Sequence, residues 1–420
     1  MSKLHHVIIG ASGAGLEAVE AIRRVDKECP ITVISKEPMP IYSRVGLTHF
    51  ISREVGYDGM QMRDDGYFDR MKVRGLMGVA ALSVDANARR VKLSNGESLA
   101  YDNLLVASGS HAFTPPIPGT DLKGIYPCIT NVDAKQIDEA IPGVKEGAVI
   151  GAGLIGIQAV DALARRGVKT AVIEMMPHTM PAMADAVSAR IVEDELREKG
   201  LTVRCGVKAT EILGKNGYVT GVKVETGEVV PCQLLVMAAG VVPNIDFLDG
   251  TDVTINRGVV VDAYQRTNVE GIYAAGDVAE TIDMFSGERV VNAIWPEALN
   301  QGRIAGLNMA GIATAYEGSM AMNVTAVLHI PVASIGVWNP KDHQYQIREL
   351  RDDQHRMYRK LVFDGDQLVG AMLIGRYEDS GILHNMIRTR TTFTLKPHHL
   401  TRPPVRWGTV LRAIDLAGKL

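Results

Sequence analysis

Two stretches of the chain repeat the same order of apolar and polar positions. Each begins with an apolar run, passes through a glycine-rich turn and continues with apolar residues at helical spacing: VIIGASGAGLEAVEAIRR (7–24) and VIGAGLIGIQAVDALARR (149–166). Each is followed by a β-branched run that ends in an acid, at Glu37 and at Glu174. Short apolar runs bounded by glycine predict buried strands, and the helical spacing predicts a helix packed on them. The repetition therefore predicts two βαβ units in one chain.

Each unit later returns through another apolar run that ends in small residues. These runs are DNLLVASG (102–109) and CQLLVMAAG (232–240). Continuous apolar runs of this length are typical of strands in parallel sheets, which are buried on both faces. After the second unit, SIGVWN (334–339) and YRKLVFDGDQLVGAMLIG (358–375) predict antiparallel strands, with a hairpin at the Asp-Gly pair. The expected fold class is α/β, with two Rossmann-like domains and a small C-terminal α+β domain.

The glycines in the two turns indicate what the units bind. The second turn reads Gly151-x-Gly153-x-x-Gly156, while the first has Gly10, Ser12, Gly13 and Gly15, so a serine stands at the middle position. Such residues permit a sharp strand-to-helix reversal, close approach of the main chain to a pyrophosphate and tight packing of helix on strand. The phosphates then meet free N–H groups at the positive end of the helix dipole. Both turns predict dinucleotide sites.

The acid of the second unit indicates which nucleotide binds there. A carboxylate at the position of Glu174 accepts hydrogen bonds from a ribose 2′-OH and repels a 2′-phosphate. Its neighbours Met175 and Met176 carry no positive charge that would favour the phosphate. We therefore expect NAD(H) rather than NADP(H).

Composition narrows the class of protein. The 420 residues are 46% hydrophobic and 22% charged, with a net charge of −3, which gives no electrostatic reason to expect nucleic acid or an anionic membrane as partner. The N-terminus shows no signal-peptide pattern, and no apolar run is long enough to span a membrane. The four cysteines form no CxxC motif, so neither a metal nor a cluster site is expected. We expect a cytoplasmic protein.

The motif IYAAGDVAE (272–280) is an apolar strand that closes on Gly276-Asp277. With the two βαβ units, it makes the chain resemble the pyridine nucleotide–disulfide oxidoreductase superfamily over roughly residues 5 to 375. The resemblance implies FAD at the first unit and NAD(H) at the second. Its domains would be 1–113 with 243–318 for FAD, 114–242 for NAD(H), and 319–420 as an interface domain.

The resemblance also implies roles for individual residues. The first turn would line the FAD pyrophosphate, Glu37 would reach the adenosine ribose, although Ser35 stands at the more usual acidic position, and Asp277 would hold the ribityl chain. The remaining FAD contacts would come from Arg44, Ser108, Gly109, Gly276 and Trp295, the last at the head of an amphipathic helix within 290–311. The NAD(H) contacts would come from Gly151, Gly153, Leu154, Ile155, Gly156, Glu174 and Gly240.

The segment PMPIYSRVGLTHF (38–50) lacks the redox-active cysteine that many members carry there. Thiol–disulfide exchange needs a thiolate beside the flavin, so dithiol reduction is not expected. Tyr42, Arg44 and Leu47 instead match the Y-x-R-x-x-L stretch of the branch with rubredoxin reductases, ferredoxin reductases and nitrite reductase flavin portions. That branch often pairs a lysine with a glutamate near the flavin, where this chain has His49 and Gln158. These two are the candidate catalytic residues, through altered proton delivery.

With no thiol pair, cluster motif or haem motif, electrons are expected to leave the flavin for another protein or subunit, such as one with an iron–sulfur centre. The resemblance suggests an NAD-coupling subunit of a complex such as a tungsten aldehyde oxidoreductase or a carbon monoxide dehydrogenase. Two alternatives remain: a stand-alone NADH oxidase that uses oxygen, and a flavin-binding sensor or scaffold without turnover. The C-terminal domain would contact another subunit, and the basic tail from Thr394 could dock a partner.

Overall fold

The structure is a computed structural model that describes residues 4–39, 41–341, 344–392 and 404–405. The basic tail from Thr394 lies outside the described residues except for Pro404 and Val405. The chain divides into two compact units, which are considered separately. Unit 1 contains Met1–Phe50, Val55–His111 and Val241–Ser319, and unit 2 contains Ile51–Glu54, Ala112–Gly240 and Met320–Leu420. The division into three domains stays a prediction.

The helices and strands follow one another in two similar series and a third, shorter one. Up to Ala112 they are β1 (His6–Ile9), α1 (Gly13–Val25), β2 (Ile31–Ser35), α2 (Leu47–Ile51), α3 (Tyr67–Arg70), β3 (Arg74–Met77), β4 (Ala81–Asp85), β5 (Arg90–Leu93), β6 (Ser98–Ala100), β7 (Asn103–Val106) and β8 (Ser110–Ala112). From there to Pro243 they are β9 (Ile125–Pro127), α4 (Asn131–Ala140), β10 (Glu146–Ile150), α5 (Leu154–Arg165), β11 (Lys169–Glu174), α6 (Ala186–Glu198), β12 (Thr202–Cys205), β13 (Ala209–Lys215), β14 (Tyr218–Val224), β15 (Val229–Pro231), β16 (Leu234–Met237) and β17 (Val241–Pro243). The remainder are β18 (Val259–Val260), β19 (Ile272–Ala274), β20 (Ala279–Ile282), β21 (Arg289–Val290), α7 (Trp295–Met309), β22 (Met322–Val327), β23 (Ile330–Gly336), β24 (Gln346–Asp352), β25 (Met357–Asp364), β26 (Gln367–Ile374) and α8 (Ser380–Arg388).

Unit 1 is built on a parallel five-stranded sheet in the order β19-β7-β1-β2-β3. Every residue of β1 is buried, as a central strand covered on both faces should be. The core on one side includes Ile8, Val33 and Leu105 from the sheet, with Ala18 and Ala305 from the two helices that cover it. The carboxyl ends of β1, β2, β7 and β19 lie at the same edge, so the predicted site segments that follow those strands converge there.

The helices α1 and α7 cross at very short range because small residues meet at the contact. A Cβ on Gly302 would collide with the backbone of Ala14, and a Cβ on Gly306 with the backbone of Ala18. Both pairs have a four-residue spacing, which places each pair on one face of its helix. The two glycines of α7 therefore hold its N-terminal end beside the first turn of α1, where the first nucleotide is predicted.

Unit 2 repeats this sheet with the order β12-β11-β10-β16-β9, again fully parallel. The strands β10, β11 and β16 correspond to β1, β2 and β7, which confirms the predicted duplication. The fifth strand differs in origin, because β9 precedes its βαβ unit along the chain whereas β19 follows its own. The fold class, with two Rossmann-like sheets, is the one predicted.

The C-terminal part of unit 2 is an antiparallel sheet in the order β22-β23-β26-β25-β24, with α8 packed against it. The strands β25 and β26 form the predicted hairpin, whose turn contains Gly365 at φ +53°. The predicted strand at 334–339 is the end of β23, which stops at Gly336 because that residue has φ +60°. Arg359 and Asp379 pair through two hydrogen bonds of 3.0 and 2.9 Å, both buried.

Within the described part of the chain, no helix combines the length and the apolar character that crossing a bilayer requires.

Candidate functional site

The first turn is shaped by three glycines and a helix start. Gly10 has φ +119°, and a Cβ there would collide with the carbonyl of Ala107. A Cβ on Gly15 would collide with the carbonyl of Gly10, so the turn and the helix touch directly. Ser12 is the N-cap of α1 and makes no side-chain cap bond to any described residue. The first-turn N–H groups of a 13-residue helix therefore face this place without a side-chain acceptor.

The acid of the first unit, Glu37, is held by side chains. The Tyr42 hydroxyl donates to its Oε2 at 2.5 Å, and the Arg44 guanidinium pairs with its Oε1. The Arg44 and Glu37 side chains are 34% and 25% exposed, so the pair stays open to a ligand. Ser35, at the more usual acidic position, accepts the Glu37 N–H at 3.2 Å. The role of Arg44 at the FAD phosphates stays a prediction.

The crossover turn after β7 is fastened by a residue that sequence reasoning missed. Asn244 accepts the Ser108 hydroxyl through its carbonyl at 2.7 Å and donates its side-chain amide to the Ser108 carbonyl at 2.9 Å. Its main-chain N–H donates to the carbonyl of Gly109, which has φ +65°. The only sequence signal was the VVPN that follows the second unit. Asn244 thus fixes the predicted Ser108-Gly109 turn on both sides.

The Gly276-Asp277 motif lies at the carboxyl end of β19, at the same edge of the sheet. The Ser110 hydroxyl donates to Asp277 Oδ2 at 3.0 Å. Burial raises the pKa of Asp277 above its ordinary value, against the opposing effects of the Ser110 hydrogen bond and the Arg44 charge. The Gly276 N–H donates to Oε1 of Gln301 on α7 at 2.9 Å. A partly buried carboxyl that accepts the Ser110 hydroxyl can accept further hydroxyl donors, as a ribityl chain would supply.

Trp295 begins α7 and lies over the first turn. A Cβ on Gly13 would stand 3.3 Å from Trp295 Cη2 and 3.2 Å from Leu299 Cδ2, which is tight contact. Gly13 therefore leaves the space that the indole needs. The structure brings together Gly10, Ser12, Gly13, Gly15, Gly276 and Trp295 around the start of α1.

The second turn reproduces the backbone collisions of the first. Gly151 has φ +99°, and its Cβ would collide with the carbonyl of Ala238, while a Cβ on Gly156 would collide with the carbonyl of Gly151. Gly153 is the N-cap of α5, and no described atom lies within 4 Å of where its Cβ would be. Open space beside a helix start is what close approach of a pyrophosphate requires.

Glu174, at the end of β11, is held by main-chain groups. Its Oε2 accepts the Ala152 N–H at 2.7 Å and its Oε1 accepts the Met176 N–H at 2.8 Å. The residue is only 7% exposed. Each carboxylate oxygen keeps a second acceptor position, so a ribose hydroxyl could still bind it. The neighbouring Met175 is 66% exposed and carries no charge.

The other residues predicted for NAD(H) lie at the same edge of the second sheet. Leu154 opens α5 and is partly exposed, and Ile155 is 37% exposed. Gly240 is exposed with φ +119°, and its carbonyl accepts the Phe113 N–H at 2.9 Å. Both turns thus offer a positive-φ glycine, an uncapped helix start and a nearby carboxylate, which fits the binding of a dinucleotide.

The two candidate catalytic residues lie in different units. His49 is exposed on α2 of unit 1. Gln158, on α5 of unit 2, donates its side-chain amide to Thr325 Oγ1 on β22 at 3.0 Å. This contact was not foreseen, because Thr325 carries no motif. Their joint role in proton delivery stays a prediction.

The four cysteines are unsuited to thiol chemistry at either turn. None forms a disulfide. Burial raises the pKa of Cys128, Cys205 and Cys232 to about 12 in each case, and it raises that of Cys29 as well. Cys29 precedes β2, at the edge opposite the first turn. Cys205 pairs with Glu174 across the sheet, yet Glu193 beside its thiol further disfavours a thiolate. In the described residues, no group of His, Cys, Asp or Glu side chains could hold a metal.

Comparisons with known proteins agree with this geometry. A family model described as pyridine nucleotide-disulphide oxidoreductase matches residues 4–302, and one described as rubredoxin NAD+ reductase C-terminal domain matches residues 322–391. The chain is 31% identical to subunit epsilon of the NADH-dependent phenylglyoxylate dehydrogenase of Aromatoleum evansii, over 93% of this chain and 92% of that one. It is 30% identical to an NADH oxidase of Methanocaldococcus jannaschii, over 79% of this chain and 75% of the relative.

A solved structure shows the same fold. The NAD-dependent persulfide reductase of A. fulgidus is 28% identical, with a TM-score of 0.84, over 93% of this chain and 77% of that chain. The chain spans about half the length, 48% and 50%, of two further curated relatives, so the remaining halves of those proteins have no counterpart in this sequence.

Proposed function

The chain belongs to the pyridine nucleotide-disulphide oxidoreductase family, and on that basis we propose that it passes electrons between NAD(H) and a partner redox protein or subunit. It is an NAD(H) oxidoreductase, and its cofactors are FAD and NAD(H). The chemistry that FAD supplies when bound is the exchange of a hydride with NAD(H) for single electrons. The protein's task is to hold both nucleotides and to give the electrons an exit.

We assign FAD to the first turn. The free N–H groups at the start of α1 would bind its pyrophosphate, and Glu37, already held by Tyr42 and Arg44, would accept its adenosine ribose. Asp277 would accept a ribityl hydroxyl in addition to its bond from Ser110. Trp295 would exclude water from the turn because its ring already covers Gly13.

We assign NAD(H) to the second turn. Gly153 leaves the open space for the pyrophosphate, and Glu174 offers its remaining acceptor positions to the adenosine ribose. A buried carboxylate there would repel a 2′-phosphate, so we expect NAD(H) over NADP(H). The exposed Ile155 and Met175 would cover apolar parts of the nucleotide.

The observation that carries the proposal is the state of the four cysteines. Every thiol is buried enough to have a raised pKa, and none is paired in a disulfide. A thiol that is not a thiolate neither attacks a disulfide nor forms an adduct with a flavin. Beyond the flavin itself, the thiols of this chain thus offer no store for the electrons, and we expect the electrons to pass to another molecule.

The partner is the finer part of the proposal. The similarity over nearly the whole length to a named subunit of a dehydrogenase supports a role as the NAD(H)-coupling subunit of a larger complex. A tungsten aldehyde oxidoreductase or a carbon monoxide dehydrogenase would be such a complex, and an iron–sulfur subunit would be the direct acceptor or donor. Electrons could then flow toward NAD+ as well as from NADH.

Purification of the native complex tests this. The protein should co-purify with another polypeptide that contains iron and acid-labile sulfide, and NADH should reduce that partner only when this chain is present. The purified chain alone should reduce one-electron dyes quickly and oxygen slowly. Isolation as a single polypeptide that consumes oxygen at the dye-reduction rate would contradict the proposal.

A second candidate is a stand-alone NADH oxidase, which the similarity to the relative of that name favours. The two functions are distinguished by one measured ratio, the rate of NADH oxidation with oxygen divided by the rate with a one-electron dye. A sensor or scaffold role would show neither rate, and NADH would then fail to bleach the bound flavin.

We keep His49 and Gln158 as proposed catalytic residues. The exposed imidazole of His49 carries ring nitrogens that can accept or donate a proton, while the Gln158 amide is hydrogen-bonded to Thr325. The variant His49→Ala should flatten the pH dependence of flavin reduction by NADH. An unchanged pH profile would remove His49 from the mechanism.

A further inference from the structure

One residue of the second turn, Ala152, is held by protein groups through both its N–H and its carbonyl. The Ala152 N–H donates to Glu174 Oε2 at 2.7 Å, and the Ala152 carbonyl accepts the Met180 N–H at 2.7 Å. Ala152 itself is fully buried. Because its N–H is occupied by Glu174, a pyrophosphate must use the N–H groups that follow, at Gly153 and the start of α5. Ala152, fixed through the peptides on both of its sides, therefore sets the orientation of the helix start.

Met180 is an unusual residue for this task. It is fully buried and has φ +53°, a left-handed conformation that costs energy for any residue other than glycine. Its neighbour Thr179 donates its N–H to Glu193 Oε1 on α6 at 2.9 Å. The Met180 carbonyl accepts the N–H groups of Met183 and Ala184 at 2.9 and 2.8 Å. The surrounding structure thus over-determines a backbone conformation that the residue alone would not adopt.

Asp185, the residue after Ala184, joins the same segment to the C-terminal sheet. Asp185 is the N-cap of α6 and forms a capping box with Ser188. Its Oδ2 accepts Nζ of Lys360 at 2.5 Å, and the Tyr358 hydroxyl stands 3.2 Å away. The Lys360 and Asp185 side chains are 5% and 14% exposed. Both partners belong to unit 2, so the link joins two parts of one compact body.

We propose that Lys360 is a positioning residue for NAD(H): through Asp185 it holds the segment 176–185, whose Met180 N–H fixes the Ala152 carbonyl of the second turn. The contact series is Lys360 to Asp185, Ala184 to Met180, and Met180 to Ala152, each step a single hydrogen bond or one residue of chain. A turn held in this way binds its nucleotide without first being ordered, which improves affinity. The inference rests on the proposed assignment of NAD(H) to this turn.

The test compares two basic residues of the C-terminal part of unit 2, Lys360 and Arg356, whose ion pairs reach the two ends of α6. Lys360→Met breaks the pair at the N-cap of α6. Arg356→Met, the matched control, breaks pairs to Glu195 and Glu198 near the other end of α6, away from the second turn. The dissociation constant for NAD+ is measured by calorimetry on FAD-loaded protein, with the flavin spectrum and the melting temperature recorded for each variant.

Lys360→Met should raise the dissociation constant for NAD+ about tenfold, near the upper end for a residue that does not touch the ligand. Arg356→Met should change it by less than about twofold at a similar loss of melting temperature. The flavin spectrum should be unchanged in both. Equal NAD+ binding by Lys360→Met and the parent protein overturns the inference alone, whereas absence of NAD+ binding by the parent protein overturns the proposed function.

A second measurement covers the case in which Lys360→Met does not fold. Hydrogen exchange of the parent protein should show the Met180 and Ala184 amides protected without NAD+, and the added protection on saturation should be less than about twofold. Rapid exchange at these amides that slows only with NAD+ would show that the nucleotide, and not the C-terminal sheet, orders the segment.

Discussion

The two βαβ repeats share one backbone and differ in how their acids are held. In each, a Cβ on the glycine that opens the turn would collide with the carbonyl of the residue that follows the returning strand, Ala107 after β7 or Ala238 after β16. A Cβ on the glycine within the helix would collide with the carbonyl of that first glycine. Glu37, however, is held by the side chains of Tyr42 and Arg44, whereas Glu174 is held by two main-chain N–H groups. The backbone geometry is common to both sites, and the differences lie in the residues around it.

This difference indicates different demands on the two sites. Side-chain partners such as Arg44 can rearrange around a ligand, while main-chain partners fix the carboxylate in one place. The first turn is covered by Trp295 from another part of unit 1, and the second is braced by Met180 from a neighbouring segment. A covered turn suits a cofactor that stays bound, and an open, pre-formed turn suits a nucleotide that exchanges.

The largest expected effect comes from the glycines that touch backbone. Gly156→Ala should raise the dissociation constant for NAD+ more than about a hundredfold, roughly 2.7 kcal/mol, while FAD is retained. Gly15→Ala should lose FAD on purification, because its Cβ would collide with the carbonyl of Gly10. Gly56→Ala is the neutral control, since no described atom lies within 4 Å of its Cβ position. Loss of FAD from Gly156→Ala with NAD+ binding intact would reverse the assignment of the sites.

The next largest effect is a difference in stability between variants of the two acids, Glu174 and Glu37. Glu174 is only 7% exposed and accepts two main-chain N–H groups. Glu174→Ala leaves both groups without their acceptor, which should lower the free energy of unfolding by about 1–3 kcal/mol. Glu37→Ala removes a partly exposed pair, which should cost no more than about 1 kcal/mol. Chemical denaturation of both variants, freed of nucleotide, gives the comparison. A larger loss for Glu37→Ala would show that the side-chain contacts are the more rigid ones.

A smaller effect should follow from the cover over the first turn. Trp295→Leu removes the ring that lies on Gly13 and should weaken FAD binding about three- to tenfold, without a change in NAD+ binding. In the parent protein, FAD should quench the tryptophan fluorescence. The drop in fluorescence on FAD binding should be much smaller in Trp295→Leu, which keeps the other tryptophans. Full quenching in Trp295→Leu would place the ring away from the flavin.

The smallest effect concerns acid pH at the second site. Burial raises the pKa of Asp185, but Lys360 and Ser188 outweigh it, and the net pKa lies below the ordinary value. A depressed folded-state pKa gives stability that is complete above the unfolded pKa, near 3.9, and is lost as pH falls through the folded value. Melting temperatures of the parent and Asp185→Asn should therefore converge below about pH 4. Parallel curves down to pH 3 would mean that this carboxyl does not titrate as described.

Much of the fold could be predicted from the sequence, because local patterns of residues determine its turns and strands. The turns at Gly10 and Gly151, the duplicated strands and the hairpin at Gly365 all follow from spacing and glycine placement. The sequence predicted β19 as the strand within IYAAGDVAE (272–280), but it did not predict β9, and the two strands join their sheets through connections of different order. Short strands that pair only with distant partners leave little local signal.

The contacts around each site were harder to predict from the sequence. Apart from the VVPN segment that contains Asn244, nothing in the sequence marks Asn244, Met180 or Thr325, because their contacts are main-chain bonds or single hydrogen bonds to residues far along the chain. A left-handed methionine gives no compositional signal, unlike a left-handed glycine. The missing cysteine in the segment 38–50 was readable at once, and the burial of the remaining thiols became clear only in three dimensions.

No thiol of this chain should store electrons. An anaerobic titration of the FAD-loaded protein with NADH counts the electrons that it accepts. We predict complete bleaching of the flavin at about one equivalent of NADH per FAD. Protein that is first reduced, alkylated at its thiols and reoxidised should reach the identical end point. An end point near two equivalents, lost on alkylation, would reveal a redox-active disulfide and contradict the account.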